Sequence, residues 1–142
     1  MASQDLGAVV REMLEAWNAK DLDRCASYAH PDAEMTNVPF GAKLGFREYV
    51  ESWARAFPDG KIEIENVVVQ GDRAIAEFVG RGTHTGTMKG PMKLPNGSEI
   101  PPTGKAFDLE FYTIARWNNE QIVEENLMYD LVTFLRQIGL GQ

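Results

Sequence analysis

The chain has 142 residues, 44 % of them hydrophobic, and a formal charge of -7. That length and apolar share fit one domain, residues 1–142, with one core. The acidity excludes a phosphate-backbone partner, because binding nucleic acid depends on Lys and Arg replacing condensed counterions. A single cysteine, Cys25, rules out an intrachain disulfide or a cysteine metal site. With only His30 and His84 beside it, a metal would need mostly carboxylate ligands, and no such cluster is visible, so no metal is expected. Apolar runs span a few residues against the roughly 20 that cross a bilayer. Met1 to Asp5 lacks the basic-then-apolar order of a signal peptide, so a soluble, cytoplasmic protein with no membrane contact is expected.

Leu6, Val10, Met13, Leu14 and Trp17 recur at helical spacing and predict a helix to about Lys20. Asp21 reads as the N-cap of a short second helix through Tyr28, which His30-Pro31-Asp32 breaks. Phe46, Tyr49, Val50, Trp53 and Phe57 form a third apolar stripe, ended by Pro58-Asp59-Gly60. From Ile62 the period shortens to that of strands. Ile62 and Ile64 alternate with acids before Val67-Val68-Val69, and Gly71-Asp72 turns the chain into Arg73 to Thr85. Residues 86–104, rich in Gly, Pro and Met without a period, read as a long loop, either a binding segment or plain surface. Lys105 to Trp117 then places Phe107, Leu109, Phe111, Thr113, Ala115 and Trp117 on one face. Asn118-Asn119-Glu120 leads into a strand-like run, Ile122 to Leu131, and an apolar helix, Leu131 to Ile138. Helices followed by an antiparallel meander imply an α+β fold with helices on one face of a curved sheet.

Asp130 is the first candidate for chemistry, an isolated acid where the last strand meets the last helix. By alternation it shares a face with Glu124, Asn126 and Met128, opposite Val123, Leu127, Tyr129 and Leu131. That face is either simply wet or opens on a cavity between helices and sheet, where partial burial would raise the acid's pKa toward neutrality. His84, in Gly82-Thr83-His84-Thr85-Gly86, is a structural histidine or a pocket-rim residue. Asn37, ahead of Val38-Pro39, is a turn residue or orients a carbonyl. Trp17 is core or ligand wall, and Thr113 is the one hydroxyl on an apolar strand face. No Ser-His-Asp order, phosphate-cradling loop or dinucleotide fingerprint is present, which removes nucleophilic catalysis and nucleotide cofactors.

An ordered set of short motifs spans nearly the whole chain: Trp17-Asn18 with Lys20-Asp21-Leu22-Asp23, His30-Pro31-Asp32-Ala33, Ala56-Phe57-Pro58-Asp59, Gly82-Thr83-His84-Thr85-Gly86, Pro102-Thr103-Gly104-Lys105, and Met128-Tyr129-Asp130 leading to Leu135-Arg136-Gln137-Ile138-Gly139. In these it resembles the SnoaL-like polyketide cyclase and ester cyclase branch of the NTF2-like superfamily. The resemblance implies an α+β cone, a strongly bent antiparallel sheet packed on three N-terminal helices with a short C-terminal helix, and a homodimer formed through the outer sheet face. It implies a hydrophobic small-molecule ligand, and a cofactor-free aldol-type ring closure with Asp130 as general acid/base. Trp17, Asn37 and His84 match pocket-lining positions, while Asn126 replaces a tryptophan and would widen the pocket or make it more polar. Ketosteroid isomerases carry a catalytic aspartate where this chain has Asn37 and an oxyanion-hole acid where it has Thr113. Limonene-epoxide hydrolases need an Arg and a second Asp where it has Leu94-Pro95-Asn96-Gly97. Epoxide hydrolysis and a non-catalytic binding module therefore stand as alternatives to the cyclase.

Overall fold

The computed structural model describes residues 5–88 and 97–140. Helix α1, Leu6–Asn18, starts at Asp5, whose carboxylate accepts the Gly7 N–H at 2.9 Å, and it buries Val9, Val10, Met13, Leu14 and Ala16. Helix α2, Leu22–Ser27, is capped as expected by Asp21, which accepts from the Arg24 N–H. Helix α3, Phe46–Ala56, buries Phe46, Val50, Trp53 and Ala56. Strands β3 (Lys61–Gln70), β4 (Arg73–Thr83), β5 (Ala106–Asn118) and β6 (Gln121–Met128) form the expected meander, and α4 (Leu131–Gln137) follows.

Two strands intrude where the sequence suggested helices alone. His30-Pro31-Asp32 does stop α2, but the chain continues as β1, Ala29–Asn37, and β2, Ala42–Gly45, before α3 begins. The sheet order is β2-β1-β6-β5-β4-β3, and β1 runs parallel to β6, so the sheet is not wholly antiparallel. The β1 inward positions are Ala29, Ala33, Met35 and Asn37. Two alanines and an amide carry little β-propensity, and Pro31 falls where the pairing with β6 slips between Ala29 and Glu34.

Further register slips at Ile64/Asn66 and Arg116/Trp117 bend the sheet around the helices. On its concave face Trp53 is the hub of an aromatic cluster, with the rings of Phe57, Phe111, Phe134 and Tyr129 at 5.6, 5.8, 5.7 and 5.9 Å. Such stacked and edge-to-face pairs add about 0.5–1.5 kcal/mol each to the area they bury. On β4 the inward residues Ala74, Ala76 and Gly80 are small, and a Cβ on Gly80 would lie 2.7 Å from the Phe111 ring. Small inward pairs, Ala74 with Ala115 and Ala76 with Thr113, adjoin the large pair Phe78 and Phe111 and leave room beneath α1 and α3 for a cavity. No helix among the described residues is long and apolar enough to cross a membrane.

Candidate functional site

A cavity of about 60 Å3 lies between the concave sheet face and helices α1 and α3. Its lining includes the aromatic residues Phe46, Tyr49, Trp53, Phe78 and Phe111 together with Cys25, Thr113 and Glu125. Trp17, Lys61, Ile62 and Arg81 are only partly buried or exposed, so they mark where it opens to solvent. The enclosed space suits a few waters. A larger ligand has to enter from the mouth and displace wall side chains.

Glu125 is the unexpected residue. The slip at Arg116/Trp117 lets Ile122 face inward and then returns Glu125, Leu127 and Tyr129 to the same face, with Glu125 opposite Ala115. It is 3 % exposed, has no cationic partner among the described residues, and desolvation alone pushes its carboxyl up to about 8. An ionised carboxylate there would be without compensation, so the proton is retained through neutrality. Its charge is felt by its neighbours. The Cys25 thiol is pushed up to about 12 by burial and then by Glu125, and the Tyr49 phenol is raised well above its usual value by the same two causes. Three titratable groups thus converge on one wall, with the Thr113 hydroxyl, 6 % exposed, beside them in the lining.

Asp130 lies elsewhere. Strand β6 ends at Met128, and Asp130 is the exposed N-cap of α4, its carboxylate accepting the Thr133 N–H at 3.1 Å. Hydrogen bonds from Thr133 hold its pKa below the ordinary aspartate value, opposite to the rise expected for a partly buried acid. An acid immediately before an apolar helix is a capping signal, and here local capping chemistry outweighs strand alternation.

Of the other expected pocket residues, Trp17 and Thr113 line the cavity and three do not. Asn126, opposite Ile114 and Thr36, projects from the outer sheet face, since Glu125 and Leu127 on either side of it face inward. Asn37 is 1 % exposed and ties down the β1–β2 turn: its Oδ1 accepts from the Tyr129 hydroxyl at 3.0 Å and, at 3.5 Å, from the Phe40 N–H. Replacing Tyr129 with Phe is expected to cost about 1 kcal/mol in urea unfolding, the usual worth of such a bond. His84 is fully buried beside Phe57, ring centroids 5.4 Å apart, with Nδ1 accepting the Thr103 N–H at 3.3 Å and its Nδ1 3.2 Å from Thr103 Oγ1. That contact assigns the Nε2–H tautomer, and burial holds the pKa below the usual histidine value. His84 is a neutral strut between residues 84–88 and the Thr103 turn. Leu94-Pro95-Asn96, which bore on epoxide hydrolysis, lie outside the described residues. Among the described residues no group of three His, Cys, Asp or Glu side chains could hold a metal.

One signal could have revealed Glu125. It shares the parity of Leu127 and Tyr129, so an acid stood on the face described as apolar, and only its solitary place among large apolar residues distinguished it.

A bent sheet wrapped on helices around an apolar cavity is the architecture of the NTF2-like folds, and comparison narrows the class. The family model of the SnoaL-like polyketide cyclases matches residues 7–138, and the chain belongs to that family. Among solved structures, AclR of Streptomyces galilaeus, provisionally assigned as a hydroxylase, aligns at 21 % identity over 96 % of this chain and 86 % of its own, with a TM-score of 0.75. IdmH of Streptomyces antibioticus, provisionally assigned as a polyketide cyclase, aligns at 24 % identity over 96 % and 99 %, with a TM-score of 0.73. A protein of ketosteroid isomerase-like fold from Catenulispora acidiphila aligns at 19 % identity over 93 % and 92 %, with a TM-score of 0.72. Comparison with curated proteins finds no match. At such identities the neighbours establish the fold alone, and their differing names show why the reaction has to be argued from the site.

Proposed function

We propose that the protein is a cofactor-free acid/base catalyst of aldol-type ring closure on a hydrophobic carbonyl compound, with Glu125 rather than Asp130 moving the proton. The observation that carries this reading is a buried carboxyl lining an aromatic cavity, without a cationic partner among the described residues and with its pKa pushed up to about 8. A base of that strength is matched to proton abstraction near neutral pH, whereas an exposed, low-pKa Asp130 is a weak base in water. Ionised Glu125 takes a proton from the carbon next to a carbonyl. The enolate carbon attacks a second carbonyl of the same chain, and the new alkoxide takes the proton back from the Glu125 carboxyl. Thr113 and Tyr49 both line the cavity, and their hydroxyls would hydrogen-bond the enolate oxygen. The enclosing walls fold a flexible chain into a reactive conformer. The protein would act as a homodimer through the outer sheet face, where Val68, Ile75 and Tyr112 are exposed.

The test is turnover of a panel of linear di- and triketones by the parent and two variants. Glu125→Gln is expected to lose roughly 10²–10⁴-fold in kcat, the usual contribution of a general base. Asp130→Asn, which keeps a good capping residue, is expected to retain activity. In the parent, kcat/KM should rise with pH and level off above about 8. Full activity in Glu125→Gln, or its loss in Asp130→Asn with the fold intact, would sink the proposal.

A further inference from the structure

The mouth of the cavity has a construction that apolar binding and proton transfer do not require. At the C-terminal end of α1, Lys20 has φ 59°, the left-handed region that favours glycine. Its side chain lies over the Trp17 ring, Nζ 4.0 Å from the ring centroid, and donates to the Gly60 carbonyl. Gly60 is needed beneath that ring, because a Cβ there would stand 2.6 Å from Trp17. Asn18 braces the same corner, its side chain exchanging two hydrogen bonds with the Ile62 backbone at 2.7 and 2.9 Å. The Asn18 carbonyl in turn accepts from Lys61 Nζ at 2.8 Å. Two ammonium groups are thus tethered by backbone carbonyls beside the cavity mouth, each with N–H donors to spare.

The acids nearby are already engaged. Asp59 accepts the Thr83 N–H and Oγ1–H at 2.8 and 2.7 Å, and Glu63 and Asp108 hold Arg81 at 3.0 and 2.9 Å. Arg81 is therefore neutralised, while Lys20 and Lys61 are held by carbonyls of neighbouring backbone, Gly60 and Asn18, and Lys20 feels the charge of Lys61 more than that of Asp59. Burial and then the charge of Lys61 lower the Lys20 pKa, a sign that the two cations repel. An anion between them would relieve that repulsion.

We propose that the ligand is an elongated oxo-acid: its anionic group binds the Lys20–Lys61 pair at the mouth, its apolar body enters the aromatic cavity by displacing wall side chains and its carbonyl reaches Glu125. This deepens the catalytic reading and rests on it for the carbonyl alone. The span follows from register. Lys61 is opposite Arg81 on β4, and Glu125 is level with Ala74 through Ala115, seven residues along that strand. That is roughly 23 Å of strand, of which the lysine and glutamate side chains cover about 10 Å, leaving a chain of about ten atoms. The anion can be a free carboxylate or the phosphate of a carrier arm.

The experiment compares 9-oxodecanoate, its methyl ester and 9-oxodecyl phosphate by calorimetric titration at pH 7. Parent protein should bind both anions about tenfold more tightly than the ester, a preference that weakens with salt. A phosphate preference over the carboxylate would indicate the carrier-arm source, and the reverse a free acid. In Lys61→Met, and more fully in Lys20→Met/Lys61→Met, the acid and ester should converge to within about twofold, as expected when a charge-assisted contact is lost. The single variant leaves the Lys20, Trp17 and Gly60 packing intact if the double variant folds poorly. Equal affinity of acid and ester for the parent, an unchanged ratio in Lys61→Met, or failure of both to bind would overturn the proposal. The acid-to-ester ratio is independent of Glu125, so it can fail while the Glu125→Gln test succeeds, or the reverse.

Discussion

Glu125→Gln is expected to be more stable than the parent at pH 8.5 and to show little of the parent's loss of stability between pH 4.5 and 8. The carboxyl is pushed from 4.5 up to about 8 by burial alone, so the folded state holds a proton that the unfolded chain releases at about 4.5. A raised acid pKa contributes fully below the unfolded value, and the contribution is lost as pH climbs through the folded one. The interval between those values corresponds to roughly 5 kcal/mol at about 1.36 kcal/mol per pH unit, an upper bound if water enters the cavity when the acid ionises. Glutamine keeps the shape without the charge, so urea midpoints of the two proteins should converge near pH 5 and diverge in favour of the variant as pH rises. Parallel curves for the two proteins would show that Glu125 ionises freely in the folded state. The Tyr49 phenol and Cys25 thiol, both raised in part by Glu125, should then titrate lower in the variant.

That stability cost of an ionised Glu125 bears on function. A glutamine or leucine at this point of β6 would satisfy packing without a pH-dependent penalty, and perturbed carboxyls of this kind cluster at catalytic and ligand-binding sites. The same group that limits stability in mild alkali is the one whose ionised form the proposed reaction consumes and regenerates.

How far the sequence revealed this arrangement depended on whether local or long-range forces set each residue's place. The stripe from Leu6 to Trp17, the Asp21 cap and the alternation from Phe107 to Trp117 are local, and the structure reproduces them. Strand β1 is held by pairing with β2 and β6, not by its own residues, so Ala29, Pro31 and Ala33 carried no strand signal. Around the cavity, Trp17 closes the apolar stripe of α1 and Thr113 is a hydroxyl within the apolar face of β5, local patterns that put both in the lining. Asn126 was misplaced because the face carrying Asp130 was read as the cavity face, while Glu125, Leu127 and Tyr129 are the residues that turn inward. For Asn37 and His84 the sequence leaves a structural and a ligand-facing reading open, because their partners, Tyr129 and Thr103, are distant along the chain and carry no local signal.

Gly86→Ala should be the most damaging small substitution outside the cavity, costing more than about 3 kcal/mol, in the range of forced overpacking. A Cβ on Gly86 would lie 1.9 Å from the Arg55 carbonyl oxygen and 2.9 Å from its carbon, both backbone atoms of α3 that cannot rotate aside. The approach is fixed by two hydrogen bonds to the Ala56 carbonyl, from Thr85 N–H at 3.2 Å and Gly86 N–H at 3.1 Å. Relief of the clash therefore breaks those bonds and lifts residues 84–88 off the end of α3. Such a shift also withdraws His84 from Phe57 and Met88, 1 % exposed, from the core. Gly45→Ala serves as the control: its φ is -66° and nothing lies within 4 Å of the added Cβ, so a change within about 1 kcal/mol is expected, no more than a lost cap preference. Thermal and urea unfolding of the two variants side by side would decide it. Equal stability of Gly86→Ala and Gly45→Ala would mean that residues 84–88 do not pack on α3. Because Phe57 and Trp53 stack at 5.6 Å and Trp53 lines the cavity, the damage at Gly86 should also reach the site, as weaker ligand binding with the Glu125 pH dependence retained.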